Sequence, residues 1–164
     1  MDVEGSQSSE SQLKQILNSE KLRYVMQSSP FTVAAGSPVR EAIEGIRTHP
    51  NNYALVLSGK TLAGIFTERD YLVKLAGMDV SLDRPVDEFM SKEPKSLSPD
   101  HTVADALRLI VEGGYRHVPV VDNGEVTGVI SALDIVKYIA ELYPTEVYNL
   151  PPRLHQIMNR AEGG

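Results

Sequence analysis

The chain has 164 residues, 41% of them hydrophobic and 23% charged, which is the make-up of a folded globular domain rather than a disordered or collagen-like chain. It has no cysteine, which excludes disulfide scaffolds, thiolate zinc sites and cysteine nucleophiles. With 22 acidic against 16 basic residues, the net charge of −6 and the single, scattered Lys and Arg argue against a nucleic-acid or anionic-membrane partner.

Residues 1–12, rich in Ser and Glu, are expected to be a disordered tail, and Leu13, Ile16 and Leu17 to mark a short helix packed on the folded body. No charged-then-apolar leader opens the chain, so the cytoplasm is the expected location. Phe31–Ala34 reads as extended. Ser37 then offers an N-cap and Pro38 a first helical position, with apolar residues after it at 39, 42, 43 and 46, one face of an amphipathic helix. Tyr53–Leu57 and Leu62–Phe66 read as strands around Ser58-Gly59-Lys60, with a helix from Thr67 that carries Tyr71, Leu72 and Leu75. The same succession then returns. Lys95–Ser98 is extended, apolar residues fall at 103, 106, 107 and 110, and Val118–Val121 and Val126–Ile130 flank Asp122-Asn123-Gly124, whose Asn-Gly is a strong hairpin signal. A helix from Ser131 carries Ile135, Val136 and Ile139. Apolar runs such as Leu109–Val111 and Val118–Val121 are too short to span a bilayer. Beyond Leu142, residues 143–164 hold Pro144, Pro151 and Pro152 among Val147, Tyr148 and Leu150, the composition of an arm lying on a surface.

A shift of 64 residues lays one half of the chain on the other without a gap, from Met26 on Met90 to Leu75 on Ile139, with 8 of those 50 positions identical. Val39 meets Val103, Ala42 meets Ala106, Gly64 meets Gly128 and Asp70 meets Asp134. The expected fold is therefore mixed α/β: two β-α-β-β-α repeats, 13–78 with its short N-terminal helix and 79–142, packed sheet to sheet with pseudo-twofold symmetry. One unit of this size is marginal alone, because small domains bury too little surface. The pair shares a core and offers two related clefts. Leu72, Leu75, Val136 and Ile139 are apolar helix residues left over for a second copy, so a homodimer is expected.

Gly64-Ile-Phe-Thr67-Glu-Arg-Asp70 and Gly128-Val-Ile-Ser131-Ala-Leu-Asp134 resemble the Gly-hydrophobic-hydrophobic-Ser/Thr-x-x-Asp signature of CBS domains, the repeats named after cystathionine β-synthase. Tyr115-Arg-His-Val-Pro-Val-Val-Asp122 is similar to the family's stretch leading into the second hairpin. The resemblance implies a regulatory pair that takes AMP, ADP, ATP, NAD or S-adenosylmethionine in its clefts and forms disc-like dimers; it does not imply an activity. It also implies that the base contacts one repeat while the ribose carboxylate comes from the other. That joins Thr32, Tyr53 and Ala54 to Ser131 and Asp134, and Ser96, Val118 and Pro119 to Thr67 and Asp70.

Elementary chemistry gives these residues two readings each. Asp70 and Asp134 stand in the first turn of a helix after a strand, where a carboxylate accepts a ribose diol and the helix N–H groups favour phosphate. Ser/Thr-x-x-Asp is equally a capping box that needs no ligand. Arg116 and His117 are candidate phosphate contacts, or a solvated loop charge and a packing residue. Their counterparts in the first repeat, Asn52 and Tyr53, are uncharged, so the Asp134 cleft is expected to be the tighter one. Arg69 either adds a charge to the Asp70 cleft or lies on the helix surface. The four histidines show no metal-ligand spacing, and no serine elbow, phosphate loop or metalloprotease helix is present, so an enzyme is not expected. The functional expectation is an adenine-nucleotide sensor acting on an unidentified effector protein. The alternatives are an interaction module with empty clefts and an S-adenosylmethionine sensor.

Overall fold

The computed structural model describes residues 3–50 and 52–142, so the expected arm at 143–164 lies outside the described residues. Helix α1 covers Val3–Ser19 and therefore runs through most of the stretch expected to be a disordered tail. That stretch has no proline, its Glu and Gln are good helix formers, and Glu10 and Lys14 close an i,i+4 ion pair at 2.9 Å. A 3-10 turn at Leu22–Tyr24 leads to β1 (Thr32–Ala34), α2 (Val39–Thr48), β2 (Tyr53–Ser58), β3 (Thr61–Thr67) and α3 (Glu68–Lys74). A second 3-10 turn at Val86–Glu88 leads to β4 (Ser91–Lys92), α4 (Val103–Gly113), β5 (His117–Asp122), β6 (Glu125–Ser131) and α5 (Ala132–Leu142). None of the described helices is long and apolar enough to cross a membrane.

The first sheet has the order β1-β2-β3-β4, with β1 parallel to β2 and the other pairs antiparallel. The second is the antiparallel pair β5-β6, with Leu97 bridging Val120 in parallel and Gln27 bridging Val129 antiparallel. Those two bridges stand where β1 and β4 stand in the first sheet, 64 residues earlier or later. Even the register irregularity at Val56/Leu57 recurs at Val120/Val121. The second hairpin turns at Asn123 and Gly124, with φ of 49° and 83°, the left-handed pair that a tight two-residue turn demands.

Helix α2 starts one residue later than expected: Pro38, not Ser37, is its N-cap, with no side-chain cap bond. The reason is tertiary. Its first donors are taken by the segment ahead of the second repeat, Val39 N–H to Arg84 O at 2.8 Å and Arg40 N–H to Leu82 O at 3.1 Å, while Val86 N–H returns to Ser37 O. Helix α4 receives the equivalent of the first bond, Val103 N–H to Glu20 O at 3.0 Å, and also closes its own box, with Thr102 Oγ1 accepting from Asp105 N–H.

Each repeat is completed by the leader of the other. Val86, Phe89 and Met90 are buried in the first core with Val33, Val39, Ala42, Ala54, Val56, Phe66 and Leu75. Leu22 and Val25 are buried in the second core with Val103, Ala106, Val118, Val120, Ile130 and Ile135, and Met26 packs beside them. Backbone bonds stitch each exchange: Leu22 N–H to His101 O, Val103 N–H to Glu20 O, and Gln27 and Val129 to one another in both directions. The signature glycines make room for these leaders. A Cβ on Gly64 would overlap the Met90 sulfur and stand 2.9 Å from the Ser91 carbonyl oxygen, and one on Gly128 would lie 2.6 Å from the Gln27 carbonyl oxygen. The outer faces of the two hairpins then meet. Tyr53, Leu55 and Val129 are buried together with Leu57, Leu62, Ile65 and Val126 against them, and Lys60 pairs with Glu125 at 3.1 Å across the turns.

Candidate functional site

Asp70 and Asp134 are the buried charged residues among those described, each 9% exposed. Each sits at the third position of its helix because the strand ends one residue before the helix starts. Thr67 and Ser131 are thus at the N-cap with a carboxylate three residues on. The two boxes have the same geometry. Thr67 N–H and its hydroxyl donate to Asp70 Oδ2 at 2.9 and 2.7 Å, and Asp70 N–H returns to Thr67 Oγ1 at 3.3 Å. Ser131 N–H and its hydroxyl donate to Asp134 Oδ2 at 2.8 and 2.6 Å, and Asp134 N–H returns to Ser131 Oγ at 3.3 Å. Asp105 does the same for Thr102, outside any signature, and these bonds hold its carboxyl below the usual 3.8. Capping therefore occupies Oδ2. A ligand role falls to Oδ1.

The two Oδ1 atoms have different partners. Asp70 Oδ1 accepts from Lys74 Nζ at 2.7 Å, and the same ammonium donates to the Phe89 carbonyl. Asp134 Oδ1 accepts from the Gln27 side-chain amide at 2.6 Å. Neither partner is among the expected site residues. Lys74 was within reach of a spacing argument, since an acid with a lysine four residues later pairs with it on a helix face. Gln27 lies 107 residues from Asp134, and only the exchange of leaders brings it there.

His117, which interacts electrostatically with Asp134, packs on the Tyr53 ring, with centroids 4.7 Å apart and planes tilted by 43°. These two residues are equivalents under the 64-residue shift, so the contact lies where the repeats are related to each other. Tyr53 stands opposite Thr67 in one hairpin and His117 opposite Ser131 in the other. Burial pushes the His117 imidazole below its usual 6.5, the Asp134 carboxylate opposes that, and Arg116 adds to it. Beyond Asp134, a shallow cleft of about 200 Å³ runs along α5 past Lys137, Tyr138 and Glu141, faced by Tyr24 and Val25.

The structure thus brings Tyr53, His117, Ser131 and Asp134 together and leaves other expected residues apart. Ala54 and Val118 are fully buried, each inside its own repeat's core, and Pro119 is buried mid-strand, so these positions can offer a ligand only backbone groups. Thr32 is exposed opposite Leu55. Ser96 lines a separate groove of about 380 Å³ with Thr61, Leu62, Glu93, Pro94, Val121 and Gly124, to which neither Thr67 nor Asp70 contributes. Arg69 and Arg116 are exposed and enter no ion pair among the described residues. Among the described residues no three His, Cys, Asp or Glu side chains gather as a metal site.

Comparison with known proteins agrees with the duplicated architecture. An uncharacterized 17.7 kDa protein of Acidianus ambivalens is 26% identical over 125 residues, covering 75% of each chain. A CBS domain-containing protein of Arabidopsis thaliana is 32% identical over 112 residues, 67% of this chain but 20% of that one. Among solved structures, a CBS-domain containing protein of Agrobacterium tumefaciens matches with 28% identity and a TM-score of 0.65, over 72% of this chain and 98% of that one. The fold is shared with CBSX2, solved in complex with AMP (22% identity, TM-score 0.67, 75% and 98% coverage). It is shared too with a CBS domain pair solved with 5-methylthioadenosine and S-adenosyl-L-methionine (21% identity, TM-score 0.65, 74% and 97% coverage). The model of the CBS domain matches residues 22–77 and again 86–141, more than half of the chain. The chain belongs to the CBS domain family, and its two repeats form one CBS pair.

Proposed function

We propose that the chain is a regulatory module that takes an adenosine ligand, AMP, ADP, ATP or NAD, in the cleft at Asp134. The observation that carries this reading is the Asp134 carboxylate at a helix N-terminus, with Oδ1 held by a neutral amide and with His117, packed on Tyr53, close enough to interact with it electrostatically. A ribose hydroxyl replaces the Gln27 amide on Oδ1 with a donor of the same kind. The phosphate then meets His117, Arg116 and the first-turn N–H groups of α5. Structures of relatives with AMP and with S-adenosyl-L-methionine support an adenosine compound as the class. The basic pair at 116–117 favours the phosphorylated members over S-adenosylmethionine, which is cationic at sulfur.

The test is a thermal-shift panel of AMP, ADP, ATP, NAD and S-adenosylmethionine on wild type and Asp134→Asn. A ligand at 100 times its Kd adds about 2.7 kcal/mol, a rise of roughly 5–10 °C for a chain of this size. Removing the charged acceptor weakens binding by about 1.5–3 kcal/mol, tenfold or more in Kd. A flat response to the whole panel overturns the reading.

A second reading rests on the helix surfaces. Leu72 and Val73 on α3 and Leu133 and Val136 on α5 are more than half exposed. Leu75 and Ile139, expected on this surface, instead belong to the two cores, because the exchanged leaders cover that side of each helix. The apolar stripe that remains fits a second copy of the chain. Light scattering near twice the 18.0 kDa chain mass supports this homodimer, and a stable monomer overturns it.

A further inference from the structure

The two clefts of this pair differ in the charge of the group that occupies Oδ1 of the aspartate. The Asp70 side chain is 11% exposed and Lys74 38%, so their ion pair is partly withdrawn from water. The Lys74 ammonium has a second acceptor in the carbonyl of Phe89, a residue held in the first core by the exchanged leader. In the second repeat the equivalent of Lys74 is Tyr138, whose hydroxyl donates to Glu20 Oε2 at 2.9 Å, and the equivalent aspartate is met by the Gln27 amide. A neutral diol exchanges for a neutral amide with little change in the electrostatics of the carboxylate. Displacing Lys74 separates a partly buried ion pair, leaving the carboxylate with neutral partners and the ammonium with one carbonyl. The Arg116 guanidinium ahead of β5 can offset such a loss in the second repeat, but the first has the uncharged Asn52 in its place.

We infer that Lys74 is a latch that keeps the Asp70 cleft closed to the ribose, so that each chain takes a single adenosine ligand, at Asp134. This rests on the nucleotide reading above. It goes further by assigning a stoichiometry and the residue that sets it.

Titration calorimetry of the full chain with AMP tests it. Wild type gives one event per chain, weakened tenfold or more by Asp134→Asn and unchanged by Asp70→Asn. Lys74→Met opens a second event, which disappears when Asp70→Asn is added. Lys74→Gln, which supplies the amide that Gln27 supplies to Asp134, does the same and guards against a folding defect in the methionine variant. Two events in wild type, or a single event in both Lys74 variants, overturn the latch and leave the nucleotide reading standing. No event in any of the proteins overturns the nucleotide reading and the latch with it.

Discussion

The two repeats carry the same elements at a constant offset of 64 residues, and they differ where each aspartate meets its surroundings. In the first, Asp70 is paired with a lysine of its own helix, and Asn52 ahead of β2 and Tyr53 at its start carry no charge. In the second, Asp134 is met by a glutamine from the far end of the chain, and Arg116 ahead of β5 and His117 at its start stand in those places. The scaffold tolerates this divergence because the capping box uses one carboxylate oxygen to hold the helix and leaves the other to vary. The Oδ2 half of the motif, which caps the helix, is the same in both repeats, and the Oδ1 half differs.

The largest effect is expected where the repeats depend on each other. Leu22 is fully buried in the second core although it belongs to the leader of the first repeat. Leu22→Ala costs about 2–5 kcal/mol in chemical denaturation, and hydrogen exchange should show the loss first in β5, β6 and α4. Loss confined to β1–β3 would contradict the exchange of leaders.

A smaller effect separates the two signature glycines. At Gly128 a new Cβ meets the paired backbone first, 2.6 Å from the Gln27 carbonyl oxygen, whereas at Gly64 the flexible end of Met90 is nearest and the Ser91 carbonyl oxygen stands farther off at 2.9 Å. Gly128→Ala should therefore cost about 1–3 kcal/mol and Gly64→Ala less. Equal losses in thermal melts would remove the distinction.

The helix starts come next. Thr102→Ala removes a cap worth about 1 kcal/mol, while Ser37→Ala, beside a helix whose first donors are served by Arg84 and Leu82, changes little. The Asp105 carboxyl is held below 3.8 in the fold. Its contribution is therefore present above that pH and lost as the pH falls through it toward the folded value. Acid titration of Asp105→Asn against wild type should show a shallower decline in the variant.

The smallest effect lies at the repeat contact. His117 is pushed below 6.5 in the fold, between Tyr53, Arg116 and Asp134. The unfolded chain binds its proton first, so stability falls as the pH drops below about 6.5 and levels off once the folded imidazole is protonated too. His117→Gln removes that slope. A phosphate beside the ring reverses the preference, so AMP affinity in wild type should gain more between pH 8 and pH 6 than in His117→Gln. The same gain in both proteins would take His117 out of the phosphate contacts.

What the sequence determined by itself is what short spacing carries. The order of elements, both hairpins, the duplication and the Ser/Thr-x-x-Asp caps are written in residues within a few positions of one another, as is the Asp70–Lys74 pair. The tertiary structure alone decided the rest. Leu22 and Val86 cross into the opposite repeat, Pro38 rather than Ser37 caps α2, Leu75 and Ile139 turn inward, and Ala54 and Val118 face the cores. Tyr53 and His117 meet, and Gln27 reaches Asp134, only because two sheets pack face to face and exchange their leaders. Local propensity and periodicity report which face of an element is apolar, but not which distant segment will cover it.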